Sequence, residues 1–114
     1  MERIWDFKLN IELLNINKMA SGHLCLEITE KIVWDDFPDY ANSLIRILKG
    51  EIISKISSFD LIIWEISING ESFKLVFDDF PLMVTLESSS DQGDNQIRDI
   101  RDYLGDNYQQ PEQS

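Results

Sequence analysis

A chain of 114 residues with 21 acidic and 10 basic side chains carries a net charge of −11, which disfavours nucleic acid as a direct partner because phosphate binding needs clustered lysine and arginine. Hydrophobic content of 43% and aromatic content of 11% suit one folded core, and the length leaves no room for a second. The single cysteine, Cys25, permits no internal disulfide, Met1–Asp6 lacks the form of a secretory signal, and no apolar run approaches the roughly 20 residues of a membrane span, so a cytoplasmic monomer or small oligomer is expected.

From the N-terminus, Ile4 to Ile16 predicts a first strand, with Phe7, Leu9, Ile11 and Leu13 alternating with polar residues. Asn15 to Gly22 reads as the connecting turn, and His23 to Glu30 as a second strand with Leu24, Leu26 and Ile28 on one face. Asp36 to Lys49 predicts a helix. Asp36 is the expected N-cap, with Asp39 imitating a capping box, Pro38 in the first turn and Gly50 as the residue just past the end. Phe37, Ala41, Leu44, Ile45 and Leu48 form its apolar stripe.

Glu51 to Ser57 reads as a third strand, and Ser57 to Asp60 turns into the best-defined unit of the chain. There Asn69-Gly70 sits between two apolar runs, and a two-residue turn with φ > 0 at both positions fixes a hairpin register. That register sets Ile66 against Phe73, Trp64 against Leu75 and Ile62 against Phe77 on one apolar face. The other face takes Ser67 against Ser72, an ion pair of Glu65 with Lys74, and Ile63 against Val76. Asp78 to Pro81 is the next turn, Leu82 to Glu87 the last strand, and Asp94 to Leu104 a second helix ended by Gly105. Either Asp94 or Asp91 caps that helix. The expected order is β-β-α-β-β-β-β-α, an α+β fold with a mainly antiparallel sheet and two helices packed on one face. Residues 1–105 form the single domain, and 106–114 a mobile tail.

Two pentads share one pattern: Trp34-Asp35-Asp36-Phe37-Pro38 and Phe77-Asp78-Asp79-Phe80-Pro81. As turn chemistry, Asp bonds nearby backbone N–H groups, Pro sets φ and Phe pins the turn to the core. As a surface, acids beside aromatics suit a basic protein partner, with Asp35, Asp36, Asp39, Asp78, Asp79 and Phe80 as the contact residues. No metal or other cofactor is expected. No stretch matches a calcium loop, and His23 with Cys25 has no further His or Cys to complete a zinc set. Neither a Gly-rich phosphate loop nor a Gly-x-Ser-x-Gly motif is present, so no catalytic residue is assigned and no enzyme is expected.

The segment Val76-Phe77-Asp78-Asp79-Phe80-Pro81-Leu82-Met83-Val84-Thr85-Leu86-Glu87-Ser88, with Trp64-Glu65-Ile66-Ser67-Ile68-Asn69-Gly70, resembles small acidic bacterial proteins of uncharacterised families. Some relatives of those families are immunity proteins of contact-dependent growth inhibition systems. The resemblance covers about a third of the chain and implies a cytoplasmic antidote that binds a cognate toxin domain, a basic nuclease for instance, and covers its active site. It transfers no catalytic residue. Two other readings stay open: a regulatory binding module whose acidity keeps it soluble, and a small enzyme or metal-binding protein.

Overall fold

The computed structural model describes residues 9–108 of the chain. Six strands, β1 (Asn15–Lys18), β2 (Leu24–Thr29), β3 (Glu51–Ser57), β4 (Leu61–Ile68), β5 (Glu71–Asp79) and β6 (Leu82–Ser88), form one sheet in the order β1-β2-β6-β5-β4-β3. Every neighbouring pair is antiparallel. Helix α1 (Phe37–Ile47) follows β2, entered through a 3-10 turn at Trp34–Asp36, and α2 (Asp91–Asn107) follows β6. This is the α+β class and the element order that the sequence predicts.

The central hairpin has the predicted register at every position, from Ile68 opposite Glu71 to Ile62 opposite Phe77. Asn69 at φ 52° and Gly70 at φ 82° supply the left-handed pair that its turn demands. Ile62, Trp64, Ile66, Phe73, Leu75 and Phe77 are buried beneath the helices, in one core with Phe37, Tyr40, Leu44, Ile97, Ile100 and Leu104. Phe37 stands edge-on to Trp64 with centroids 5.5 Å apart. On the opposite face Glu65 and Lys74 are cross-strand neighbours, but they form no ion pair. Lys74 also faces Glu87 on β6, and Glu65 instead accepts a 3.4 Å hydrogen bond from the Ser54 hydroxyl.

Several local expectations are corrected. The regular first strand is only Asn15–Lys18, inside the predicted turn; the true turn spans Met19 to His23, closed by a 2.8 Å bond from Met19 N–H to the His23 carbonyl. Leu9 and Ile11 are buried as expected, but Leu14 adopts φ 52° and takes the buried place expected of Leu13. Glu12 N–H and Leu13 N–H both donate to the Ile28 carbonyl at 3.1 Å, a bulge that shifts the alternation by one residue before Leu14, so period-two reading fails there. Residues 4–8 of the predicted strand lie outside the described residues.

Asp36 makes no side-chain cap, because the 3-10 turn delivers it with helical φ and ψ. At the other end Lys49, not Gly50, takes the left-handed conformation, at φ 59°. Lys49 N–H donates to the Arg46 carbonyl at 3.1 Å and Gly50 N–H to that of Ile45 at 2.9 Å, a complete Schellman closure. Gly50 is needed for a different reason: a Cβ there would lie 3.0 Å from the Ser67 carbonyl oxygen.

Helix α2 starts earlier than predicted, with Ser90 as its cap, accepting from Gly93 N–H at 2.9 Å. It runs through Gly105 to Asn107, two residues into the stretch assigned to the tail, with Leu104 anchoring that last turn in the core. Residues 109–114 lie outside the described part. No helix among the described residues is long and apolar enough to cross a membrane.

Candidate interaction surface

Strand direction decides which turns share an end of the sheet. Thr29 pairs with Val84 near the end of β2, Asp79 with Leu82, and Leu61 with Asp78. The segment after β2, the β3–β4 turn and the β5–β6 turn therefore emerge together. Asp79 N–H donates to the Asp60 carbonyl at 3.1 Å, binding the two turns. The pentads meet here as well: Trp34 packs edge-on against Phe77 at 5.9 Å, and Phe37 against the same ring at 5.3 Å. Their buried aromatics form one stack, and their acids are left around its rim.

Asp35, Asp36 and Asp79 are exposed and Asp78 is half-buried, all at this end. Asp78 and Asp79 are the last residues of β5 rather than turn residues, and the turn itself is Phe80-Pro81, joined by a cis peptide bond. Phe80 is 88% exposed. Asp39, in the first turn of α1, lines a groove of about 660 Å³ between α1 and β3, with Asn42, Ser43, Ile45, Arg46, Gly50 and Ile52.

Two residues absent from the sequence-based set complete the surface. Phe59, at the tip of the β3–β4 turn, is 95% exposed, and Asp60 beside it is exposed too. The signal was present: an aromatic ring in a Ser-Ser-Phe-Asp turn too short to fold back has no core to reach. The two tips are separated by two strand spacings, about 10 Å at 4.8 Å each. The end of the sheet thus presents two apolar prongs with carboxylates between and beside them.

The chemistry-bearing residues gather at the opposite end. His23 Nδ1 lies 3.0 Å from Asp94 Oδ2 and 4.0 Å from Asp91 Oδ1. These three donors fall within 4.8 Å of one another, the spacing of a small metal set that the sequence reading had sought around His23 and Cys25. Asp94 is already occupied, however. Its Oδ1 accepts from Leu24 N–H at 2.9 Å, and the group stands at the positive end of α2, where a cation is disfavoured. Its geometry is that of a staple joining α2 to β2. Cys25 is buried. Burial raises its pKa, and Glu87 and Glu27 raise it further, the reverse of what a nucleophilic thiolate needs.

An antiparallel six-stranded sheet backed by two helices places the molecule among small α+β proteins, here with an acidic rim tipped by two phenylalanines at one end of the sheet. The chain belongs to the family described as "Protein of unknown function (DUF3630)", which it matches over residues 14–106. No curated protein and no solved structure matches it.

Proposed function

We propose that this protein is an immunity-type antidote that binds a cognate toxin domain, of nuclease type, through the acidic end of its sheet. One observation carries the reading: the chain spends two large aromatic side chains, Phe59 and Phe80, on full exposure within a cluster of Asp35, Asp36, Asp60, Asp78 and Asp79. Exposed aromatics cost solubility and contribute nothing to a core, whereas at an interface such rings are the usual anchors. A nuclease groove is basic, so carboxylates around the anchors give charge complementarity and fast encounter. The resemblance of the β4–β6 segment to small acidic bacterial proteins of uncharacterised families, some of whose relatives are immunity proteins, points the same way.

The test is protection. The protein encoded immediately upstream is produced in a sensitive host with this chain, or with its Asp35→Asn/Asp78→Asn/Asp79→Asn variant. Growth should be rescued by the wild type. The variant should fold normally, associate more slowly and lose much of its salt dependence. Absence of protection and of binding by the wild type would overturn the proposal.

A second reading has its own support. Asp91, Asp99, Asp102 and Asp106 on α2 are exposed, and Glu27, Glu65 and Glu87 lie half-buried on the sheet, so the acids are not confined to the rim. A regulatory binding module made soluble by charge fits that spread. It predicts that the triple variant binds its partner as fast as the wild type at every ionic strength.

A further inference from the structure

The outer edge of the sheet at β3 is open. Six of the seven residues of β3 pair with β4, on one side alone, with the register shifting at Ile53, and the strand contains no proline. Ile52, Ile53 and Ile56 are exposed, Ile53 by 54% and Ile56 by 62%. Edge strands in soluble monomers are normally kept short or guarded by a charge that stands in the path of an incoming strand. The opposite edge, β1, is the short kind, four residues of Asn-Ile-Asn-Lys. On β3 the guards are the irregularity at Ile53 and the charge of Lys55, whose Nζ is drawn away over the Trp64 ring, 4.2 Å from the centroid. Beside this edge runs the groove of about 660 Å³ against α1.

We infer that β3 and the groove beside α1 form a two-fold interface with a second copy of this chain. Charge selects that occupant. The groove side of α1 reads Asp39, Asn42, Ser43, Arg46, acidic toward the start of the helix and basic toward its end. A two-fold axis perpendicular to the sheet pairs β3 with β3 in antiparallel fashion and sets the two α1 helices antiparallel on the same face. The midpoint of the four residues falls between Asn42 and Ser43. Asp39 then faces Arg46 of the second copy, and Arg46 faces its Asp39. A foreign strand would need this pattern by coincidence, whereas a second copy has it by symmetry. The strand itself holds one acid, Glu51, and one base, Lys55, so two copies of a −11 chain can approach here without concentrated like charge.

The interface is separate from the acidic rim and stands or falls without it. Sedimentation of the wild type over a dilution series should show reversible monomer and dimer. The dimer should tighten with added salt, because screening relieves the repulsion between two −11 chains; binding of a basic partner at the rim has the opposite salt dependence. Ile53→Lys should abolish the dimer while leaving circular dichroism and melting unchanged.

The decisive arm uses Asp39→Arg and Arg46→Asp, each of which should weaken its own dimer by roughly tenfold. Mixed together, the two variants regain both charge pairs and should associate as tightly as the wild type. A wild type that stays monomeric throughout, a dimer that survives Ile53→Lys, or a mixture no tighter than its components overturns the inference.

Discussion

His23 Nδ1 and Asp94 Oδ2 lie 3.0 Å apart across 71 residues of sequence, and the same carboxylate holds the backbone N–H of Leu24. One side chain in the first turn of α2 therefore fixes the start of β2. Burial acting alone would raise the Asp94 pKa. The hydrogen bonds of His23 and Leu24, with the His23 charge, outweigh it and hold the carboxyl below its ordinary 3.8. A depressed folded-state pKa contributes stability that is complete above the unfolded value and is lost as pH falls through the folded one. Asp94→Ala should cost about 1.5–3 kcal/mol at neutral pH. Its urea stability should also decline less than that of the wild type on acidification below pH 3.8. Parallel pH profiles for the two proteins would remove the staple from this account.

Lys49 ends α1 at φ 59°, a conformation that costs an L-residue about 1–2 kcal/mol and glycine almost nothing sterically. Glycine adds about 0.5–1 kcal/mol of backbone entropy to the unfolded chain. Lys49→Gly is therefore expected to stabilise by about 0.5–1 kcal/mol, read as a higher denaturant midpoint at unchanged slope. A lower midpoint would show that the lysine side chain contributes more than its backbone strain costs.

Gly93 lies in the first turn of α2, and a Cβ there would sit 2.5 Å from Ser88 Oγ. That hydroxyl cannot simply rotate away, since it donates to the Ser90 carbonyl at 3.0 Å and accepts from Ser90 N–H at 3.3 Å. Gly93→Ala should destabilise by about 1–3 kcal/mol, the usual cost of overpacking. Ser88→Gly in the same chain removes the obstructing atom, so the pair should be less damaging than the sum of the singles. Strict additivity in the double-mutant cycle would rule out the clash as the cause.

Trp64 is 4% exposed, roofed by Phe37 on one side and touched by Lys55 on the other. Trp64→Ala should cost about 3–5 kcal/mol, as truncation of a buried large aromatic does. A loss below about 1 kcal/mol would mean that this face of the sheet is wet.

Phe59→Ser and Phe80→Ser should each change stability by less than about 0.5 kcal/mol, because their rings are almost wholly in water. A larger loss in thermal melts would assign them to the core and remove them from the rim.

What could be read from the sequence was local. The hairpin from Leu61 to Asp79 was legible because Asn69-Gly70 sets the turn and strict alternation then carries the register outward. The stripe of α1 was legible from its helical spacing, though without Tyr40, which is also fully buried there. The Tyr40 hydroxyl donates to the Asn10 carbonyl, while burial, and then the charge of Glu12, raises its pKa far above the ordinary value. The break at Leu14 was illegible, since nothing in leucine announces a left-handed φ. For the rim, Asp35, Asp36, Asp78, Asp79 and Phe80 were visible as a repeated pattern. Their meeting depends on Trp34 reaching Phe77, a contact between distant segments that no periodicity encodes. Asp39, in the first turn of α1, also borders the groove beside β3, a position that only the packing of the helix reveals.

The strand order also says how the molecule assembles. Strands β3 to β6 follow one another in both sequence and space, so each closes on its neighbour through a short turn. β2 reaches β6 only across α1 and that whole four-strand run, with Cys25 opposite Glu87. Closing so long a loop carries the larger entropic cost before any contact rewards it. The β3–β6 ribbon is therefore expected to form first and the β1–β2 hairpin to dock last, giving Ile66→Val a high φ-value and Ile28→Val a low one. The reverse ranking would invert this order. The late seam is then also the first to part: amide protons along β2 should exchange through partial opening, while those of β4 and β5 wait for global unfolding.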